Sequence, residues 1–187
     1  CCPLPAVSWA VAHDDEACGG VMVTGSHRSS EYLGMALVDS DGSPAGLECY
    51  KKLDAYLKPD APEGRGSVRR VDMCTAYEDA LLAFVGPQAH CERVRVLCDP
   101  LFGAAQGVLP RILQRMGVEA YEIHRGAYNV GEEVRPDPVE PWLDDCEQAV
   151  VDSAAWAGLA CDGDGDRSGV VDEHGRAIAP QKVAALL

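Results

Sequence analysis

The order of apolar runs in the second half of the chain limits its fold more than any other feature. "RVRVLCD" (93–99) has the composition of a buried strand and ends at the glycine-rich "DPLFGAAQG". "VLPRILQRMG" (108–117) sets Val108, Leu109, Ile112, Leu113 and Met116 at helical spacing, and Gly117 stands where such a helix stops. "VEAYEIH" (118–124) alternates as a strand does. "PWLDDCEQAVVDSAAWAG" (141–158) reads as a helix with Pro141 at its start and Gly158 at its end. "LACD" (159–162) is a short buried strand, and "GVVDEHG" (169–175) a strand followed by a turn. The order β-α-β-α-β requires crossover helices and predicts an α/β sheet.

The first half has the same materials in a less complete order. Residues 5–17, 45–57 and 73–85 read as helices. "GVMV" (20–23) reads as a strand and "MALVDSDG" (35–42) as a strand and turn, since Asp-Gly is a turn signal. "KPDAPEGRGS" (58–67) is a polar loop, and "GPQAHCER" (86–93) separates a helix from the next strand. A chain of 187 residues, 47% of them hydrophobic, can build such cores. The expectation is two α/β domains of mixed or parallel sheets with flanking helices, residues 1–90 and 91–187.

Two polar clusters sit at strand ends. In "CDGDGDRSGVVDE" (161–173), Asp162, Asp164 and Asp166 alternate with glycines directly after a buried strand. Alternation lets three carboxylates converge, and oxygen-only ligands suit a hard cation, Mg2+ or Ca2+. Without a cation the three would repel one another and raise their own pKa values. An EF-hand loop is the rival, because Asp162, Asp164, Asp166 and Glu173 fit its count. Arg167 stands where that loop needs glycine, and a β-run precedes it instead of a helix. The second cluster, "TGSHRSSEY" (24–32), follows the strand "GVMV" and offers Ser26 at a sheet edge. Ser26 and His27 are sequence neighbours, a weak basis for a hydrolase couple, and no G-x-S-x-G accompanies them. Taken alone, Ser26 reads as a turn serine.

Charge narrows the partners. The net charge is -14, spread evenly: 7 basic and 14 acidic side chains in residues 1–92, 9 and 16 in residues 93–187. No basic patch argues for nucleic acid, and an anionic substrate would need local positive help. No apolar run is long enough to cross a membrane as a helix. Nine cysteines without a C-x-x-C pair argue against zinc and predict free thiols in a reducing cytoplasm. A chain that opens on Cys1 without Met is expected to be a piece of something longer.

Taken together, the two clusters resemble those of the α-D-phosphohexomutases, the phosphoglucomutase/phosphomannomutase superfamily. "GGVMVTGSH..EY.G" resembles that family's phosphoserine loop, roughly Thr, Ala or Gly, Ser, His, Asn, Pro. "DGDGDR" is similar to its metal loop, and "DPLFGAAQGVLPRIL" and "PDPVEPWLDD" to the segments before it. The resemblance implies a phosphoserine at Ser26 and Mg2+ held by Asp162, Asp164, Asp166 and a Ser26 oxygen. It also implies phosphoryl transfer on hexose phosphates, glucose or mannose 1- or 6-phosphate, through a hexose 1,6-bisphosphate. Arg167 and Arg28 would bind phosphate, and His27 would donate a hydrogen bond or carry a proton. The chain departs from the pattern at Arg28-Ser29, where the family has Asn-Pro, and at Ala36, where it has a lysine. The resemblance covers the latter part of the first domain and most of the second. On that basis domains III and IV of the parent, with their sugar and phosphate loops, are missing, and the piece alone would not turn over substrate. A diverged, non-catalytic binding module is the alternative, and a Ca2+-loop protein a lesser one.

Overall fold

The structure is a computed structural model that describes residues 2–56, 66–86, 94–127 and 135–186. Most of the expected 58–67 loop and of the 86–93 boundary segment lies outside the described residues. In the first half, α1 (Leu4–Ala12) is followed by the strands β1 (Gly19–Thr24) and β2 (Gly34–Asp39), then α2 (Leu47–Tyr56) and α3 (Met73–Val85). The helix expected over 5–17 thus ends at Ala12. β1 and β2 form an antiparallel pair in which Val21 faces Leu37 and Thr24 faces Gly34. α1 packs on this pair through Val7 and Val11, which approach Gly20 so closely that a side chain there would collide. α3 starts at Asp72, whose carboxylate accepts the N–H groups of Cys74 and Thr75.

The second half contains β3 (Arg95–Asp99), α4 (Val108–Arg115), β4 (Glu119–Glu122), α5 (Asp144–Ser153), β5 (Ala157–Cys161), β6 (Ser168–Asp172), β7 (Ala177–Ile178) and α6 (Pro180–Leu186). Its five-stranded sheet has the order β4-β3-β5-β6-β7, parallel from β4 to β5 and antiparallel beyond. Helices cover both faces, so this is a mixed α/β sheet. Leu97, Ala160 and Val171 meet Leu143, Cys146 and Val150 on the α5 side. Val96 and Cys98 meet Leu109, Leu113 and Met116 on the α4 side. β3 therefore buries both faces, as its apolar run predicts.

One expectation fails at α5. The helix expected over 141–158 runs only from Asp144 to Ser153, and Ala154 ends it in the left-handed region (φ 49). Trp156 N–H then donates to the Arg95 carbonyl on β3, and Gly158 lies inside β5, not at a helix stop. A Cβ on Gly158 would sit 2.8 Å from both Cys146 Sγ and Val150 Cγ2, so this glycine marks helix-on-strand packing. β7 and α6 were not expected from the sequence pattern.

The two halves touch through α3 and α4. Glu78, 4% exposed, accepts a bidentate bond from Arg111, and Asp79 pairs with Arg115.

Candidate functional site

β1 ends at Thr24, and Gly25 carries the chain into Ser26, whose φ of 48 is unusual for a residue with a side chain. Two groups from the second half hold the loop that follows. Arg135 Nε donates to the His27 carbonyl oxygen at 3.0 Å. Gly163, between the first two aspartates, lies so close that a Cβ would land on the Ser26 carbonyl oxygen. Thr24 braces it from within: its hydroxyl accepts the Ser26 N–H at 2.8 Å.

The aspartate loop joins β5 to β6 in an antiparallel hairpin. Asp162 Oδ1 accepts the N–H groups of Asp166 and Arg167, each at 3.1 Å, which folds the loop around its own first carboxylate. Ala104 N–H donates to the Gly163 carbonyl, and Leu4 N–H, at the start of α1, to the Asp164 carbonyl. Both halves of the chain therefore grip this loop by its backbone.

These supports bring the expected residues together. Ser26 Oγ donates to Asp162 Oδ2 at 3.1 Å across 136 positions of sequence. Thr24 Oγ1 donates to Asp164 Oδ2 at 3.0 Å. His27 Nδ1 lies 3.4 Å from Ser26 Oγ. Arg167 Nε lies 4.0 Å from oxygens of Asp162 and Asp166, its side chain half exposed. Arg28 is the outlier: it is exposed and lies over the ring of Tyr32, 5.9 Å from the centroid. A crevice of about 560 Å³ opens beside Ser26, lined among others by Arg28, Tyr32, Phe102 and Gly163. Two contributors were missed from sequence. Thr24 had a legible signal, a hydroxyl two positions before the serine, the spacing of a side chain-to-backbone turn. Arg135 had none.

The donor set fits a hard cation. Asp162, Asp164 and Asp166 each offer an oxygen within 4.8 Å of the others. Asp162 and Asp164 are 0% and 2% exposed, and Asp164 Oδ1 meets no hydrogen-bond partner among the described residues. Burial, then the charges of Asp162 and Asp166, push the Asp164 carboxyl up to about 6. Burial and Asp162 also raise Asp166. Two buried carboxylates beside a third, exposed one are stabilised by a bound cation or by protons. The EF-hand geometry is absent. The loop connects two strands, and Glu173, the twelfth position, is exposed beside His174 outside the cluster.

Among the described residues Cys98 and Cys146 are buried thiols outside any disulfide. No described helix is long and apolar enough to cross a membrane.

The family model for phosphoglucomutase/phosphomannomutase alpha/beta/alpha domain II matches residues 76–175, and that for domain I matches residues 1–61. A phosphomannomutase/phosphoglucomutase from Pseudomonas putida is 31% identical over 185 residues, which are 98% of this chain and 39% of that protein. A phosphoglucosamine mutase from Parasynechococcus marenigrum is also 31% identical, over 95% of this chain and 38% of its own length. A solved structure from Thermus thermophilus, described as a phosphomannomutase, superposes with a TM-score of 0.86 at 30% identity, covering 97% of this chain and 42% of that one. The chain thus spans about two fifths of the length of these relatives. With domain II matched over more than half of the residues and domain I ahead of it in the same order, the chain belongs to the phosphoglucomutase/phosphomannomutase family.

Proposed function

We propose that this chain is the phosphoserine and metal half of a hexose phosphomutase. Residues 1–90 carry the serine loop and 91–187 the aspartate loop. The observation that supports this reading best is the hydrogen bond from Ser26 Oγ to Asp162 Oδ2, which joins the two loops that the family resemblance singles out. Asp162, Asp164 and Asp166, with Ser26, would hold Mg2+, which would supply positive charge against the transferring phosphoryl group.

The chain's own groups account for the remaining roles. Ser26, carried as phosphoserine, gives its phosphoryl group to a hydroxyl of a hexose phosphate. The bond from Ser26 Oγ to phosphorus breaks, a bond from the sugar oxygen forms, and the sugar's hydroxyl proton ends on the freed Ser26 Oγ. The bisphosphorylated sugar turns over and returns its other phosphoryl group to Ser26. His27, within reach of Oγ, carries a proton or donates a hydrogen bond there. Arg167 stays close enough to the carboxylates to fork onto phosphate oxygens at the same place. Arg28 binds phosphate only by leaving Tyr32, toward a ligand in the adjoining crevice.

Incubating the chain with glucose 1,6-bisphosphate and Mg2+ tests the carrier. Intact mass is expected to rise by one phosphoryl group on Ser26, and Ser26→Ala to show none. Failure of Ser26 to be labelled in both this chain and the full-length protein would sink the assignment. The chain alone is expected not to convert glucose 1-phosphate in a coupled assay. A second reading, a mutase-derived module without chemistry, is favoured by Ala36, which on β2 offers no proton or charge. Interconversion of hexose phosphates by the full-length protein excludes it.

A further inference from the structure

We propose that Thr24 sets the cation preference of the aspartate site by leaving Asp164 a single oxygen for a metal. This inference rests on the metal reading above and concerns a residue outside the proposed ligand set. The two buried carboxylates each have one oxygen already engaged. Asp162 Oδ1 is bound by the N–H groups of Asp166 and Arg167, and only Oδ2 faces Ser26. Asp164 Oδ2 accepts the Thr24 hydroxyl at 3.0 Å, and only Oδ1, buried and without a donor among the described residues, is free.

The direction of the Thr24 bond is fixed. An ionised Asp164 can only accept, so the hydroxyl gives its proton to Oδ2 while a lone pair takes the Ser26 N–H at 2.8 Å. One side chain therefore orients the Ser26 backbone and occupies the spare oxygen of Asp164. It does so across 140 positions of sequence.

Single-oxygen carboxylates discriminate between cations. Mg2+ takes a tight octahedron of single oxygens, whereas Ca2+ takes six to eight and gains from two-oxygen carboxylates. At Asp162 the spare oxygen is held by the loop's own backbone, which no side-chain change releases. At Asp164 it is held by one hydroxyl from β1. Removing that hydroxyl frees Asp164 to offer both oxygens, which helps Ca2+ more than Mg2+. Of the two contacts that leave a buried carboxylate one oxygen, this one between loops is the one a side-chain change can remove.

Calorimetric titrations of Mg2+ and Ca2+ into this chain test the inference. The unaltered chain is expected to favour Mg2+. Thr24→Val is expected to shift the ratio of the two affinities toward Ca2+ by about tenfold. Thr24→Ser, which keeps the hydroxyl, is expected to keep the ratio. Far-UV circular dichroism checks folding, and Thr24→Ala stands in if the valine variant does not fold. An unchanged ratio with both affinities lowered alike would make Thr24 a structural residue only and overturn the proposal. Preference of the unaltered chain for Ca2+ would also overturn it. Binding of neither cation to the unaltered chain would fail the metal reading itself, a result distinct from the other two.

Discussion

Asp164 shows at a single residue what the proposed cation site costs in stability. Its carboxylate is 2% exposed, faces two further carboxylates, and has one oxygen without a donor. Its carboxyl is pushed up to about 6 by burial and by the charges of Asp162 and Asp166, so at neutral pH the metal-free fold holds a charge it disfavours. Asparagine at this position would still accept the Thr24 hydroxyl and would present an NH2 group to the other carboxylates. Asp164→Asn is therefore expected to raise the Tm of the metal-free chain near pH 7 by about 2–4 °C. The same change is expected to abolish Mg2+ binding. Differential scanning calorimetry and titration calorimetry read the two effects. A lower Tm in the variant would mean that the aspartate is stabilising in itself, against the picture of a site kept charged for a cation. The three aspartates were legible in the sequence because alternation with glycine leaves few other uses for them. The threonine was less legible, because its role depends on a loop 140 positions away.

At the scale of elements, the sequence was most readable where one periodicity runs between clear stops. α3 begins and ends at the expected residues, and α4 starts at the expected Val108 because its apolar stripe and Gly117 agree. The α5–β5 junction was misread because Gly158 has two possible meanings. Composition assigns it to a helix end, but in the fold it lets α5 lie against β5. β7 spans only two residues and gives no period to detect. The packing explanation makes a direct test. Gly158→Ala puts a methyl group 2.8 Å from Cys146 Sγ and Val150 Cγ2, both from well-buried residues of the core. It is expected to destabilise the chain by about 1–3 kcal/mol, read as a lower urea midpoint. A neutral effect would mean that α5 shifts away from the strand without penalty, and Gly158 would then be no packing requirement.

Across the whole molecule, the proposed cation site is also a joint between the two halves. Ser26 and Thr24 come from the first half and the three aspartates from the second, and Leu4 N–H reaches the Asp164 carbonyl from α1. A cation bound to both sides stabilises them as one unit, by about 2.7 kcal/mol at about a hundredfold excess over its dissociation constant. That corresponds to about 5–11 °C in Tm for a chain of this size. The increment depends on pH with a definite sign. A carboxyl whose folded value is raised, as at Asp164, leaves stability intact below the ordinary value of 3.8 and removes it as pH climbs through about 6. On the proposed reading Mg2+ would compete with the proton for the same oxygens, so its stabilisation would grow over that window. Thermal scans with and without Mg2+ are expected to coincide at about pH 4.5 and to separate fully by about pH 7.5. If the halves melt in two steps without the ion, Mg2+ is expected to move both, because each contributes ligands. An increment independent of pH, or a shift confined to one step, would show that the ion is not held between the two loops.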